Sequence, residues 1–182
     1  MTVSIGIALT MIAVINATLL IFRKSPTALV AAVALTNVIL AFACAIAAAL
    51  ASPMDGSFSL WLVVAVVAAA TFGGGPVVDV GLRLAITNKE SAKPQDEREG
   101  PLPAMVWIGV AERFGFTLAL VLGLPTVAAI LLGVKALGQY ASTKNVTPAT
   151  RVLGTLISVS WALLAFAIVA VGYPTLWPGI GG

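Results

Sequence analysis

The sequence predicts an all-α, polytopic membrane protein: a bundle of about six transmembrane helices. Sixty per cent of its 182 residues are hydrophobic and 9% are charged, which is far from the balance of a soluble domain. The hydrophobic residues form runs long enough to cross a hydrocarbon core of about 30 Å. Lys and Arg residues flank these runs, where they indicate orientation in the membrane. We therefore expect one integral membrane domain over residues 1–182.

The first two hydrophobic runs cover roughly residues 3–22 and 27–51. The second run is rich in alanine, and small residues let helix backbones approach closely in lipid. Asn16 and Asn37 are strongly polar side chains inside these runs. We expect each of them to form an interhelical hydrogen bond.

The third run begins near residue 58 and is interrupted by four residues that disfavour helix, Gly73, Gly74, Gly75 and Pro76. We expect a helix break there. Asp79 and Arg83 follow one helical turn apart, a spacing that favours an ion pair near the membrane interface. One interpretation is a final segment lying in the headgroup region. The other is a glycine-lined break that admits a ligand or ion.

The stretch over residues 104–141 is apolar but carries intramembrane charges. As one straight helix it would be about 55 Å long, nearly twice the hydrocarbon thickness. Gly123 and Pro125 stand at its middle, and proline disfavours helix in the residue before it. We therefore predict two antiparallel helices joined by a tight turn, a hairpin that places Lys135 opposite Glu112.

Small residues recur at four-residue spacing and predict close helix contacts. The first hairpin helix carries Ala111, Gly115, Ala119 and Gly123. The second hairpin helix carries Ala129 and Gly133, and we expect these two faces to approach each other. The last run, roughly residues 152–173, carries Gly154, Ser158 and Ala162 on one face.

The basic residues fix a topology with both termini outside. Six crossings leave Asp55 on the outer side and place a hydrophilic loop, residues 88–103, on the inner side. The inner side then holds Arg23, Lys24, Arg83, Lys89, Lys93, Arg98, Lys144 and Arg151, as the positive-inside rule requires. Five crossings would leave the last two of these outside, so we expect six.

Four charges lie in or beside the hydrocarbon: Glu112, Arg113, Lys135 and Arg151. Placing a lone charge at mid-bilayer costs at least about 2.5–3.5 kcal/mol of insertion free energy. Each of these charges is therefore expected to have a compensating interaction or a functional role. One interpretation is a binding site for an anionic headgroup or carboxylate, or a proton-coupled step at Glu112. A second is an internal Glu112–Lys135 ion pair, with Arg113 snorkelling to lipid phosphates. A third is an interface with a partner protein.

The composition argues against several classes of function. The chain has no histidine and one cysteine, Cys44, which removes His-ligated metal sites and Ser-His-Asp triads. The sequence also lacks a basic run with interleaved aromatic residues, so nucleic-acid binding is not expected. We expect no catalytic residues, no metal and no cofactor. An intramembrane lipid enzyme, for which only Glu112 and Asp79 are candidate acid–base residues, ranks last among the possible functions.

One set of motifs carries a resemblance. It consists of Glu112-Arg113, the Gly123-x-Pro125 turn, Lys135 followed by Tyr140, and the run Arg151-Val-Leu-Gly-Thr-Leu-Ile-Ser-Val-Ser-Trp-Ala162. Over roughly residues 104–165 the chain resembles an uncharacterised family of small bacterial membrane proteins. Members are expected to carry an acid just before Arg151, where this chain has Thr150. The resemblance implies the bacterial plasma membrane and an important hairpin, but no activity.

The leading hypothesis is a non-enzymatic subunit or scaffold of a larger membrane assembly. It rests on the small-residue stripes, the short aqueous loops and the scarcity of catalytic residue types. Its partners would be the lipid bilayer and other membrane subunits or further copies of the chain. The alternative is a transporter or substrate-binding membrane subunit for a small anionic solute or lipid headgroup.

Overall fold

The structure, a computed structural model, describes residues 2–21, 27–50, 60–86, 103–141 and 148–172. Apart from a turn at 122–124, these residues are all helical, which confirms the predicted all-α class. The six helices are α1 Thr2–Ile21, α2 Thr27–Leu50, α3 Leu60–Ile86, α4 Pro103–Val121, α5 Pro125–Ala141 and α6 Pro148–Gly172. The predicted outer loop around Asp55 and residues 88–102 of the inner loop lie outside this description.

Helix α3 occupies the centre of the bundle, with α1, α2, α4 and α6 packed around it. The core is made by large side chains that are almost fully buried, Leu9 and Ile12 of α1, Leu62 and Val66 of α3, and Ile168 and Val169 of α6. Because neighbours surround the middle of α3, Gly73 and Gly74 are buried against protein.

Three helical segments in the described part are long and apolar enough to cross a membrane, Thr27–Leu50, Trp61–Ala85 and Thr150–Gly172. Two shorter apolar segments are Ser4–Leu19 and Pro125–Gly138. The outward surface of α2 carries exposed large side chains, Leu35, Ile39, Phe42, Ile46 and Leu50. A surface of this kind suits hydrocarbon rather than water, so the fold is that of a membrane protein.

The predicted break at Gly73–Pro76 is wrong, because α3 continues as α-helix from Leu60 to Ile86 with Pro76 inside it. Proline removes one backbone donor, but neighbouring helices can satisfy the freed groups inside a membrane bundle. Glycines lower the stability of a helix and have no side chain to pack. Here two side chains from other helices, Arg113 and Trp161, occupy the space that Gly73 and Gly74 leave.

The predicted reversal of the chain is confirmed, and its hydrogen bonds explain it. Gly123 has a φ of 71°, the left-handed conformation in which glycine avoids a steric penalty. Its N–H donates to the carbonyl of Leu120 at 3.0 Å, and the N–H of Leu124 donates to the carbonyl of Ala119 at 2.8 Å. This pair of bonds is a Schellman motif, the usual glycine ending of a helix. Pro125 then opens α5 at a position where a missing N–H has no cost.

The two asparagines form interhelical hydrogen bonds, as predicted, and each is the partner of the other. The amide of Asn16 donates to the side-chain oxygen of Asn37 at 3.2 Å, and the amide of Asn37 donates back at 3.0 Å. Asn16 also donates to the carbonyl of Ile12 at 2.6 Å. Both side chains are buried, so this reciprocal pair joins α1 to α2 without exposing an amide to lipid.

The small-residue stripes differ in their use. Ala162 of α6 packs in one cluster with Phe116 and Ala119 of α4 and Ala128 of α5. The expected approach of the two hairpin stripes is wrong, because Ala129 and Gly133 are exposed. A Cβ atom on Gly133 would meet nothing within 4 Å. The helical phase explains this result: the face of α5 centred on Ala128 contacts α4, and the stripe lies to one side of it.

Candidate functional site

The first part of the candidate site is an ion pair between the two helices of the hairpin. The Lys135 ammonium donates to Oε2 of Glu112, which confirms that the turn brings these two residues together. The side chains of Lys135 and Glu112 are 15% and 32% exposed. Opposite charges at one depth reduce the cost of each in lipid, so the pair stabilises the contact between α4 and α5.

Arg113, the next residue, lies on a different side of α4 and faces α3. It is 8% exposed, and its Nε donates to the backbone carbonyl of Thr71 at 3.0 Å. The expectation that Arg113 snorkels to lipid phosphates is therefore wrong. The physical reason lies in α3, where a glycine leaves room for the arginine side chain inside the bundle.

That room comes from Gly73, Gly74 and Gly75, which we call the glycine notch. A Cβ atom built on Gly74 would lie 2.7 Å from Cδ of Arg113, closer than real contacts allow. A Cβ atom on Gly73 would lie 2.7 Å from Cζ2 of Trp161 in α6. The glycine notch thus accommodates two side chains, one from α4 and one from α6.

Both seated side chains donate hydrogen bonds to carbonyls of α3. Trp161 Nε1 donates to the carbonyl of Ala69 at 3.3 Å, as Arg113 does to Thr71. These two hydrogen bonds tie α4 and α6 to the backbone of α3. Sequence reasoning missed Trp161 as a partner of the glycines. Trp161 is distant from the glycines in sequence and is one of several tryptophans in the apolar runs, so no sequence signal pointed to this contact.

The terminal amino groups of Arg113 lie between two glycines. Its Nη2 is 3.9 Å from a Cβ position on Gly75, and its Nη1 is 3.6 Å from one on Gly109 of α4. Two ion pairs occur among the described residues, Asp79–Arg83 and Glu112–Lys135, and Arg113 belongs to neither. The guanidinium is therefore held by its backbone bond, and its two ends lie against glycine positions of α3 and α4.

The four predicted charges do not form one pocket. Arg151 is half-buried in the first turn of α6, about 15 Å along the helix axis from Trp161. Asp79 and Arg83 form the predicted pair at 2.9 Å, with both side chains about half exposed. The structure thus separates a hairpin ion pair, a buried arginine and an outlying pair at the far end of α3.

The charged residues of the described bundle differ in the contacts that they can offer. No group of three or more His, Cys, Asp or Glu residues in this part of the chain could hold a metal ion. The Glu112 carboxylate is engaged by Lys135, whereas Arg113 offers a permanent charge with donors arranged in a fork. Comparisons of the chain with protein-family models, curated proteins and solved structures found no match.

Proposed function

We propose that this protein is a non-enzymatic subunit or scaffold of a larger membrane assembly. The observation that carries the proposal is the position of α5, which packs chiefly against α4 at the edge of the bundle. Among its described side chains, Ala128 alone is buried. A helix attached along one side leaves most of its surface for lipid or for another protein.

The exposed surface of α5 has two unlike sides. One side carries four exposed small residues, Thr126, Ala129, Gly133 and Ala136, at the heptad-like spacing of a helix-packing seam. The other side carries exposed bulky residues, Val127, Ile130, Val134 and Leu137. Bulky side chains suit lipid, whereas small residues lose little entropy and allow another helix to approach closely.

The test is the mass of the particle extracted from its own membrane in mild detergent, measured by native mass spectrometry. The wild-type chain is expected in a particle heavier than its monomer. Gly133→Leu should release the monomer without lowering its melting temperature, because a side chain there meets nothing within 4 Å in the monomer. Val134→Leu, on the bulky side, should leave the particle intact. A wild-type chain extracted as a monodisperse monomer would contradict the proposal.

We also propose six crossings, both termini outside, in a bacterial plasma membrane. The distribution of Lys and Arg supports this topology, as does the length of the shorter helices. Helix α5 has 17 residues and is about 26 Å long, and α4 with 19 residues is about 28 Å long. Both lengths approach the hydrocarbon thickness of about 30 Å. The resemblance of residues 104–165 to a bacterial family supports the location.

The second candidate function is substrate binding or transport of a small anionic solute or lipid headgroup. One observation favours it: the guanidinium of Arg113 lies in the middle of the bundle without a carboxylate partner among the described residues. Ionisable residues inside a membrane bundle commonly mark substrate or ion pathways. This function and the scaffold function are compatible in one protein.

A further inference from the structure

We infer that α3 contains a hinge at Gly75 and Pro76. The part of α3 before the hinge, residues 60–74, is held in the bundle, and we call it the anchored segment. The part after it, residues 77–86, can swing about the hinge, and we call it the arm. The helix is continuous in this structure, and the hinge is the place where it bends most easily. Such a device goes beyond both proposed functions and is compatible with either.

The two parts of α3 differ in burial. In the anchored segment, the side chains of Leu62, Val66 and Ala70 are at most 2% exposed. In the arm, every residue from 77 to 85 is half-buried or exposed. Segments with few buried contacts open at a lower free energy than the core of the same protein. The arm is therefore the part of α3 that is able to move.

The backbone between the two parts is the weakest point of the helix. Pro76 has no N–H, so the carbonyl of Phe72 lacks the usual helical donor. Glycine and proline have the lowest helix propensities of all residues, and sharp bends in helices occur mostly at proline. A Cβ atom on Gly75 would lie 3.9 Å from Nη2 of Arg113, which is an ordinary contact. No neighbouring side chain is therefore wedged against the backbone at position 75.

Two hydrogen bonds hold the anchored segment just before the hinge. Arg113 of α4 donates to the carbonyl of Thr71 at 3.0 Å, and Trp161 of α6 donates to the carbonyl of Ala69 at 3.3 Å. A Cβ atom on Gly74 would lie 2.7 Å from Cδ of Arg113, so neighbouring helices pack tightly against α3 up to that residue. The tight packing ends at residue 74, which places the bend directly after it.

The arm contacts α6 through an adaptable side chain. A Cβ atom on Gly81 would lie 2.6 Å from Cδ1 of Ile157, and this carbon is the end of a flexible side chain that can follow a small displacement. Asp79 and Arg83 form an ion pair at 2.9 Å. Both residues belong to the arm, so their ion pair stays intact when the arm moves.

The experiment measures distances between pairs of spin labels by double electron–electron resonance, on the purified full chain in lipid nanodiscs. The arm is about 15 Å long, so a bend of about 20° moves its end by about 5 Å. One label is placed at Leu35→Cys on the exposed surface of α2 and the other at Ala85→Cys near the end of the arm, in a Cys44→Ser background. The control pair joins Leu35→Cys to Val152→Cys, an exposed position of α6. We expect the distance distribution to the arm to be wider than that of the control pair by about 5 Å.

A double variant tests whether the movement occurs at the hinge. Gly75→Ala with Pro76→Ala restores the missing N–H and raises the helix propensity of both positions. The new Cβ at position 75 is accommodated, because its nearest listed neighbour is 3.9 Å away. The distribution to Ala85→Cys should narrow to the width of the control pair. Gly133→Ala, in α5, is the matched control and should leave the distribution wide.

Two results would overturn the hinge. One is a distribution to the arm that is as narrow as that of the control pair before any substitution at the hinge. The other is a wide distribution that the double variant leaves unchanged, since the movement would then arise elsewhere. If the double variant does not fold, Pro76→Ala alone takes its place with the same two results. The mass of the particle in the assembly test has no bearing on these distances, so the hinge and the proposed function fail separately.

Discussion

At the scale of single residues, the most informative feature is the use of the glycine notch by Arg113 and Trp161. Pro76 has no N–H, so the carbonyl one turn before it, on Phe72, lacks the usual helical donor. The carbonyls that accept donors from other helices are those of Thr71 and Ala69, which precede Phe72 in α3. The glycines therefore do not break α3 but let neighbouring helices bring donors to its backbone.

Gly74→Ala tests this account of the notch. The new Cβ would lie 2.7 Å from Cδ of Arg113 and 2.9 Å from Cδ1 of Trp161. We expect a loss of about 1–3 kcal/mol in the free energy of unfolding, as overpacking of a core typically costs. Gly133→Ala, where the Cβ meets nothing within 4 Å, should be neutral or stabilising by up to about 1 kcal/mol. Reversible unfolding in detergent measures both. A Gly74→Ala variant as stable as Gly133→Ala would mean that the notch is not filled.

The sequence predicts some of these residue contacts and not others, for a physical reason. The Glu112–Lys135 pair follows from a local turn and from equal distances along two helices, so chain geometry alone places it. The contacts of Arg113 and Trp161 join helices that are distant in sequence, and their direction depends on helix rotation within the bundle. The hydrophobic runs carry little information on rotation, because lipid-facing and protein-facing sides are both apolar.

At the scale of an element, the α4–α5 hairpin is the part of the fold that local sequence determines most fully. Gly123 supplies a positive φ, Pro125 supplies a first helical residue, and both helix ends are satisfied by backbone hydrogen bonds at the turn. Its position and residue types could be predicted because each has a distinct local cause. The exposure of the small-residue stripe of α5 could not be predicted, because residue spacing shows that the stripe lies on one face of the helix but not whether that face contacts α4.

Gly123→Ala tests the turn. With φ at 71°, a side chain adds a steric cost of about 1–2 kcal/mol, which should appear as a lower free energy of unfolding. Gly138→Ala is the control, because it lies within α5 and its Cβ meets nothing within 4 Å. Equal stability of the two variants, measured by the same unfolding assay, would argue against a left-handed residue at position 123.

At the scale of the whole molecule, orientation in the membrane connects the fold to its surroundings. We expect Asp55→Cys, in a Cys44→Ser background, to react with a membrane-impermeant maleimide on intact cells. Lys93→Cys and Lys144→Cys should react only after the cells are made permeable. Five crossings would instead expose Lys144→Cys on the intact cell, and an inverted chain would exchange the reactivity of Asp55→Cys and Lys93→Cys.

The central claim is that the chain reverses so that two opposite charges become a single neutral unit within the bundle. A double-mutant cycle on Glu112 and Lys135, read as free energies of reversible unfolding in detergent, tests it most directly. Glu112→Gln and Lys135→Met should each destabilise the protein, because each leaves the other charge unpaired in hydrocarbon. The double variant should recover part of the loss, with a coupling energy of roughly 0.5–3 kcal/mol. A double variant whose loss equals the sum of the two single losses would show that the charges do not interact.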